Sequence, residues 1–270
     1  MKLSVSNIAL PAYDHARYFP RLEEMSFEGV EVAPSRVWRE TWTALKSVEV
    51  TKYRKSVENA GLTVVGLHSL FFDHPELGLF KGSEISRLTL DYLVHLSGVC
   101  RDLGGKTIVF GSPPARRRGN LSLIEAEAEV IDFFGTLCSQ ISHHGTCFCL
   151  EPLAANESDF VNSARDAIRM ANAVNDQAFQ VQFDAKALTA AGEVNQEIFS
   201  QAGLKLVHYH VNEPDLGVLS SGVVDHEEIA ALLRSVNYDG FVSLEQRMLD
   251  VNEPLNAIRI SVAIMKEFYS

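Results

Sequence analysis

With 270 residues, 46% of them hydrophobic and 22% charged, the chain has the composition of a globular protein and the length of one large α/β barrel. A formal net charge of −11 argues against a general nucleic-acid surface, which needs a field of lysine and arginine to hold phosphates. No apolar run reaches the roughly 18 residues that cross a bilayer, and the opening MKLSVSNIALPAYDHARYF lacks a long apolar core and a small-residue cleavage site, so a cytoplasmic protein with no membrane partner is expected.

Strand-like runs follow one another along the chain as KLSVSNIA, GVEVAP, LTVVGLHS, KTIVFGS, TCFCLEP, FQVQFDA, LKLVHYHV and GFVSLEQ. Between them lie stretches with helical periodicity, such as RLTLDYLVHLSGVCRDLG and LIEAEAEVIDFFGTLCSQISHHG, the second ending on a glycine suited to a helix C-terminus. Glycines recur just before the strands, at Gly29, Gly61, Gly104, Gly145, Gly203 and Gly240. Eight strands alternating with helices predict a (β/α)8 TIM barrel, with residues 1–270 as one domain. The cysteines, Cys100, Cys138, Cys147 and Cys149, have no CxxC spacing and read as buried thiols.

Chemistry on such a barrel sits at the C-terminal ends of the strands. Those ends carry Asn7, Glu31, His68, Ser112, Glu151, Asp184, His210 and Glu245. Acids and imidazoles gathered at one mouth repel or stay unsatisfied unless a positive charge sits among them. Glu151, Asp184, His210 and Glu245 end four consecutive strands at spacings of 33, 26 and 35 residues, about one βα unit each. Three carboxylates and one imidazole form an oxygen-rich ligand set for one divalent ion, Mn²⁺ first, with Mg²⁺, Co²⁺ or Zn²⁺ acceptable. His208 shares the face of His210 one layer deeper, where it is expected to pack behind the ligands.

The segments CLEP, QFDAKA, HYHVNEP and VSLEQ, in that order and spacing, resemble the xylose isomerase-like barrels. That superfamily includes sugar phosphate isomerases, ketose 3-epimerases, hydroxypyruvate isomerase and, more distantly, endonuclease IV. The resemblance implies Glu151, Asp184, His210 and Glu245 as metal ligands. It also makes Glu151 and Glu245 an acid/base pair and Glu157 a substrate contact, and related barrels commonly pair through their outer helices as homo-oligomers. Removing a proton beside a carbonyl requires a base at the carbon and positive charge at the oxygen, the two functions that a carboxylate and a metal would supply to an enediolate. Two positions depart from the ketose epimerases: Ala187 and Leu216 stand where those proteins have a histidine and an arginine, which points away from a free ketohexose.

GSPPARRRGN, after the fourth strand, offers Arg116 and Arg118 as clamps for a phosphate or carboxylate on the substrate. His68, Glu31, Lys186 and Trp38 are further candidates for contact with a carbohydrate, Trp38 by stacking on a sugar face. The expected function is therefore a metal-dependent sugar or sugar phosphate isomerase or epimerase. The alternatives are an endonuclease IV-like enzyme acting on abasic DNA, and a noncatalytic barrel that binds metal or sugar. The acidic balance and Ala187, where a further ligand histidine would stand, disfavour the endonuclease.

Overall fold

The structure is a computed structural model and describes residues 1–219 and 222–270. Each predicted run contains a strand: β1 (Lys2–Ser6), β2 (Gly29–Val32), β3 (Thr63–Leu67), β4 (Thr107–Phe110), β5 (Cys147–Leu150), β6 (Phe179–Asp184), β7 (Leu206–Val211) and β8 (Phe241–Leu244). All neighbours pair in parallel, and β8 returns to β1 in the register Lys2↔Phe241 to Val5↔Leu244, which closes the barrel.

The outer layer comprises α1 (Phe19–Glu24), α2 (Ser47–Glu58), α3 (Ser83–Leu103), α4 (Leu123–Ile141), α5 (Ala164–Val174), α6 (Ala185–Ala191), α7 (Gln196–Ala202), α8 (His226–Ser235) and α9 (Pro254–Phe268). Local sequence explains where they start and stop. Ser122 and Glu125 form a reciprocal cap at the start of α4, the Glu125 amide donating to Ser122 Oγ and the Ser122 amide to the Glu125 carboxylate. At the end of α3, Gly104 takes the left-handed conformation with φ of 86°, and its amide returns to the carbonyls of Arg101 and Cys100. The expected continuation of α4 to Gly145 does not occur, because the helix ends at Ile141 and a short turn precedes the glycine.

Alternation along the strands separates two environments. Outward residues pack on helices: Phe134 of α4 meets Phe110, Phe148 and Phe179, stacking on the last with centroids 4.2 Å apart. Phe183 meets Phe199 of α7 edge-on. All of these rings are buried, each contributing about 1.5–3 kcal/mol by removal from water. The opposite face carries small or polar residues: Ser6, Glu31, His68, Gln182, His208 and Ser243, all buried and linked across the barrel by hydrogen bonds and ion pairs. The β6–β7 pairing shifts register between Val181 and Gln182, just before the stretch in which Asp184 stands opposite His210. The apolar layer thus holds the barrel closed, while the interior below the mouth is a scaffold of hydrogen bonds.

Candidate metal centre and active site

Glu151 follows β5, Asp184 ends β6, His210 lies near the end of β7 and Glu245 follows β8. Each offers a ligand atom within 4.8 Å of those of the other three. His210 Nδ1 faces Glu151 Oε1 at 3.4 Å and Glu245 Oε2 at 3.5 Å, and it is a buried nitrogen with no hydrogen-bond partner among the described residues. A buried nitrogen facing carboxylate oxygens calls for positive charge between them, which a divalent cation would supply in place of a proton, so these residues fit a metal ion.

The other ring nitrogen of His210 is held from below. Nε2 lies 3.1 and 3.0 Å from the two oxygens of Glu31, which also accepts from Ser243 Oγ at 2.7 Å and stands 2.9 Å from His208 Nε2. This arrangement directs the Nε2 proton to Glu31 and leaves Nδ1 for a ligand.

Each carboxylate is oriented as well. Gln182 Nε2 donates to Glu151 Oε1 at 2.7 Å. Asn212 Nδ2 donates to Asp184 Oδ2 at 2.5 Å and to Glu245 Oε2 at 2.9 Å, bridging two of the acids. Asp184 Oδ1 caps α6 by accepting from the Ala187 amide at 2.9 Å. Gly111 leaves room for Glu151, since a Cβ there would stand 1.9 Å from Glu151 Oε2.

The electrostatics follow from crowding. Burial, with Glu151 and Glu245 adding to it, outweighs Lys186 and raises Asp184 to about 6. Burial also opposes the charged form of Glu245, but His210 and His68 beside it hold that carboxyl well below the ordinary range. Glu31 is likewise held low against burial, by His210, His208 and His68. His210 is driven well above its ordinary value because Glu31 and Glu245 overcome its burial.

Three of the four, Glu151, His210 and Glu245, line a cavity of about 720 Å³ at the barrel mouth, with His68, Glu157 and Lys186 beside them, while Asp184 is buried and not part of its wall. The sequence from residue 19 to 268 matches the family model of the xylose isomerase-like TIM barrels. The chain belongs to that family.

Among solved structures, this xylose isomerase-like barrel is similar to D-psicose 3-epimerase from Clostridium cellulolyticum H10, determined with D-tagatose. The TM-score is 0.85 at 15% identity, with all of both chains covered. It is similar to 3-keto-D-glucoside 4-epimerase, YcjR, from E. coli, with a TM-score of 0.81, 22% identity and 99% of each chain covered. It is also similar to the IolI protein with a binding zinc atom, at 0.78, 17% and full coverage of both chains. At these identities the likeness is one of fold. No curated protein matches the sequence.

Several expected contacts lie elsewhere on this barrel. Arg116 is fully buried, not free to clamp an anion. Its Nη1 donates to the Glu151 carbonyl at 2.6 Å and its Nη2 to the Val161 carbonyl at 3.4 Å, and burial lowers its pKa to about 10. Arg118 is tied to the carbonyls of Leu121 and Asp159 and lines a separate small depression beside α5. Trp38 packs edge-on against Tyr53 and is buried, so no sugar can stack on it. Glu31 lies beneath His210, fully buried, and is not part of the cavity wall.

His68 and Glu157 do line the cavity. His68 Nδ1 is 3.6 Å from Glu245 Oε1 while its Nε2 meets Ser6 Oγ at 2.5 Å. Lys186 Nζ stands 3.4 Å from Glu157 Oε1 and 3.9 Å from Asp184 Oδ1. His208 occupies the deeper layer, against Glu31. Gln182, Asn212, Ser243 and Gly111 were missed, although three of them carried a signal: each lies two residues from a ligand on the same strand path and so faces the same side.

Proposed function

We propose that the protein is a metal-dependent sugar isomerase or epimerase that moves a proton at a carbon next to a carbonyl. The observation that carries this reading is the convergence of Glu151 and Glu245, from the ends of β5 and β8, on Nδ1 of His210 at the floor of one cavity. The D-psicose 3-epimerase and the 3-keto-D-glucoside 4-epimerase of similar fold are named for reactions of this type.

A divalent cation held by Glu151, Asp184, His210 and Glu245, Mn²⁺ by preference for an oxygen-rich set, would supply positive charge where the carbonyl oxygen becomes negative. Glu245, kept charged by His210 and His68, is the base that takes the proton. Glu151, oriented by Gln182, returns a proton from the other side of the reacting carbon. Removal from one face and return on the other inverts the centre, and return to the neighbouring carbon interconverts aldose and ketose. Lys186 and Glu157 stand at the side of the cavity, placed to contact sugar hydroxyls.

The test is proton exchange in D₂O followed by NMR, with Mn²⁺-loaded protein, a panel of ketoses and keto sugars, and the Glu245→Gln variant. Metal-dependent deuterium incorporation beside a carbonyl, lost in the variant, is expected. Exchange that persists in Glu245→Gln would remove this carboxylate from the proton path.

A further inference from the structure

The walls of the cavity differ in chemistry from its floor. Above the metal ligands, Phe72, Pro75, Pro113, Pro114, Leu153 and Leu216 come together from the segments after β3, β4, β5 and β7. Phe71 anchors the first of these segments, buried and edge-on to Phe110. The next residue, Phe72, is 81% exposed. An aromatic ring left in water at the wall of a cavity is surface that a ligand can cover.

The charge on these walls is equally informative. Among the described residues Lys186 is the one lysine or arginine lining the cavity, and it is already within 3.4 Å of Glu157 and 3.9 Å of Asp184. The remaining polar wall groups are Ser69, Ser112, Asn156 and Asp215, which are neutral or negative. A phosphate or carboxylate here would meet carboxylates without a free cation to offset its lost hydration. A bare sugar held at the floor would leave Phe72 and the Pro113–Pro114 wall uncovered. A volume of about 720 Å³ lies in the range of pockets that enclose drug-sized ligands, well beyond a lone hexose.

We propose that the substrate is an uncharged sugar bearing an apolar, aromatic-sized substituent: a glycoside whose sugar ring reaches the carboxylates and whose aglycone lies against Phe72 and the Pro113–Pro114 wall. Because the glycosidic bond occupies the anomeric carbon, the carbonyl that acidifies the reacting C–H must be a ketone elsewhere on the ring. The inference rests on the proton-transfer reading for the sugar end and on the wall residues for the aglycone end.

The two parts separate in one set of measurements on the Mn²⁺-loaded protein. Affinities for phenyl and methyl 3-keto-β-D-glucoside and for fructose 6-phosphate are measured by calorimetry, in the wild type and in Phe72→Ala, where the exposed site leaves folding intact. Deuterium exchange is followed on the same compounds. The phenyl glycoside is expected to bind about tenfold more tightly than the methyl one, with that preference falling toward one in Phe72→Ala. Equal affinities, tighter binding of the phosphate, no binding of either glycoside, or a preference that survives in Phe72→Ala would overturn the aglycone proposal. Phenyl-selective binding without exchange would support the aglycone site and overturn the proton-transfer reading.

Discussion

Nε2 of His210 and Oε2 of Glu31 lie 3.0 Å apart although the residues are separated by 179 positions in sequence. The pair spans the barrel from β7 to β2, and it decides which nitrogen of His210 points up into the centre. Neutralising the carboxylate by Glu31→Gln removes the negative charge that fixes this tautomer. Mn²⁺ affinity measured by calorimetry is expected to fall by about 10–100-fold with the far-ultraviolet spectrum unchanged. Affinity equal to that of the wild type would show that Glu31 does not govern His210.

Gly111 is required by space and not by backbone conformation. A methyl group there would stand 1.9 Å from Glu151 Oε2, a contact the glutamate can relieve only by swinging out of the centre. Gly111→Ala is therefore expected to lose metal affinity and proton exchange while its urea midpoint stays close to that of the wild type. Full exchange in a well-folded Gly111→Ala protein would contradict this account of the site.

Arg116 and Arg118 are two residues apart but do different work. Deleting the buried guanidinium leaves the carbonyls of Glu151 and Val161 without their donor, so Arg116→Met is expected to lower stability by about 2–4 kcal/mol in urea unfolding. Arg118→Ala removes bonds at a partly exposed position and is expected to cost about 1 kcal/mol or less. Similar losses for the two variants would count against the buried role assigned to Arg116.

His15, which is not one of the four clustered residues, links stability to pH. It is buried, with Nδ1 3.2 Å from the Tyr53 hydroxyl, and burial, reinforced by Arg36, lowers its pKa from 6.5 to about 4. Between those values the unfolded chain binds the proton that the folded chain refuses, so stability rises with pH across the window. The contribution is complete above pH 6.5 and is lost as pH falls through 4, a change of about 3 kcal/mol. Urea midpoints from pH 7 to pH 4 are expected to fall less steeply for His15→Gln than for the wild type. Parallel slopes would rule His15 out as the source.

Much of this molecule was readable along the chain. The eight strands were visible because each is a short apolar run closed by a polar residue, six of them with a glycine at or just before the start. The four candidate ligands were visible because they end consecutive strands one βα unit apart. The positions of Gln182 and Ser243 follow from the same period of two, and that period had already located His208. By contrast, RRR in GSPPARRRGN was expected to present positive charge to the substrate. Nothing in that run distinguishes the arginine that folds inward from its neighbours: Arg116 is wholly enclosed, while Arg117 is exposed.

Sequence by itself determined the barrel and the set of acids and imidazole at its mouth, because both depend on periodicity and on residue types that recur at strand ends. Only the tertiary structure decided that Glu31 supports His210 from below, that Trp38 and the arginines leave the cavity, and that Phe72 stands on its wall. Those outcomes depend on which distant segments close over one another, and a side chain's local sequence does not record what will be packed against it.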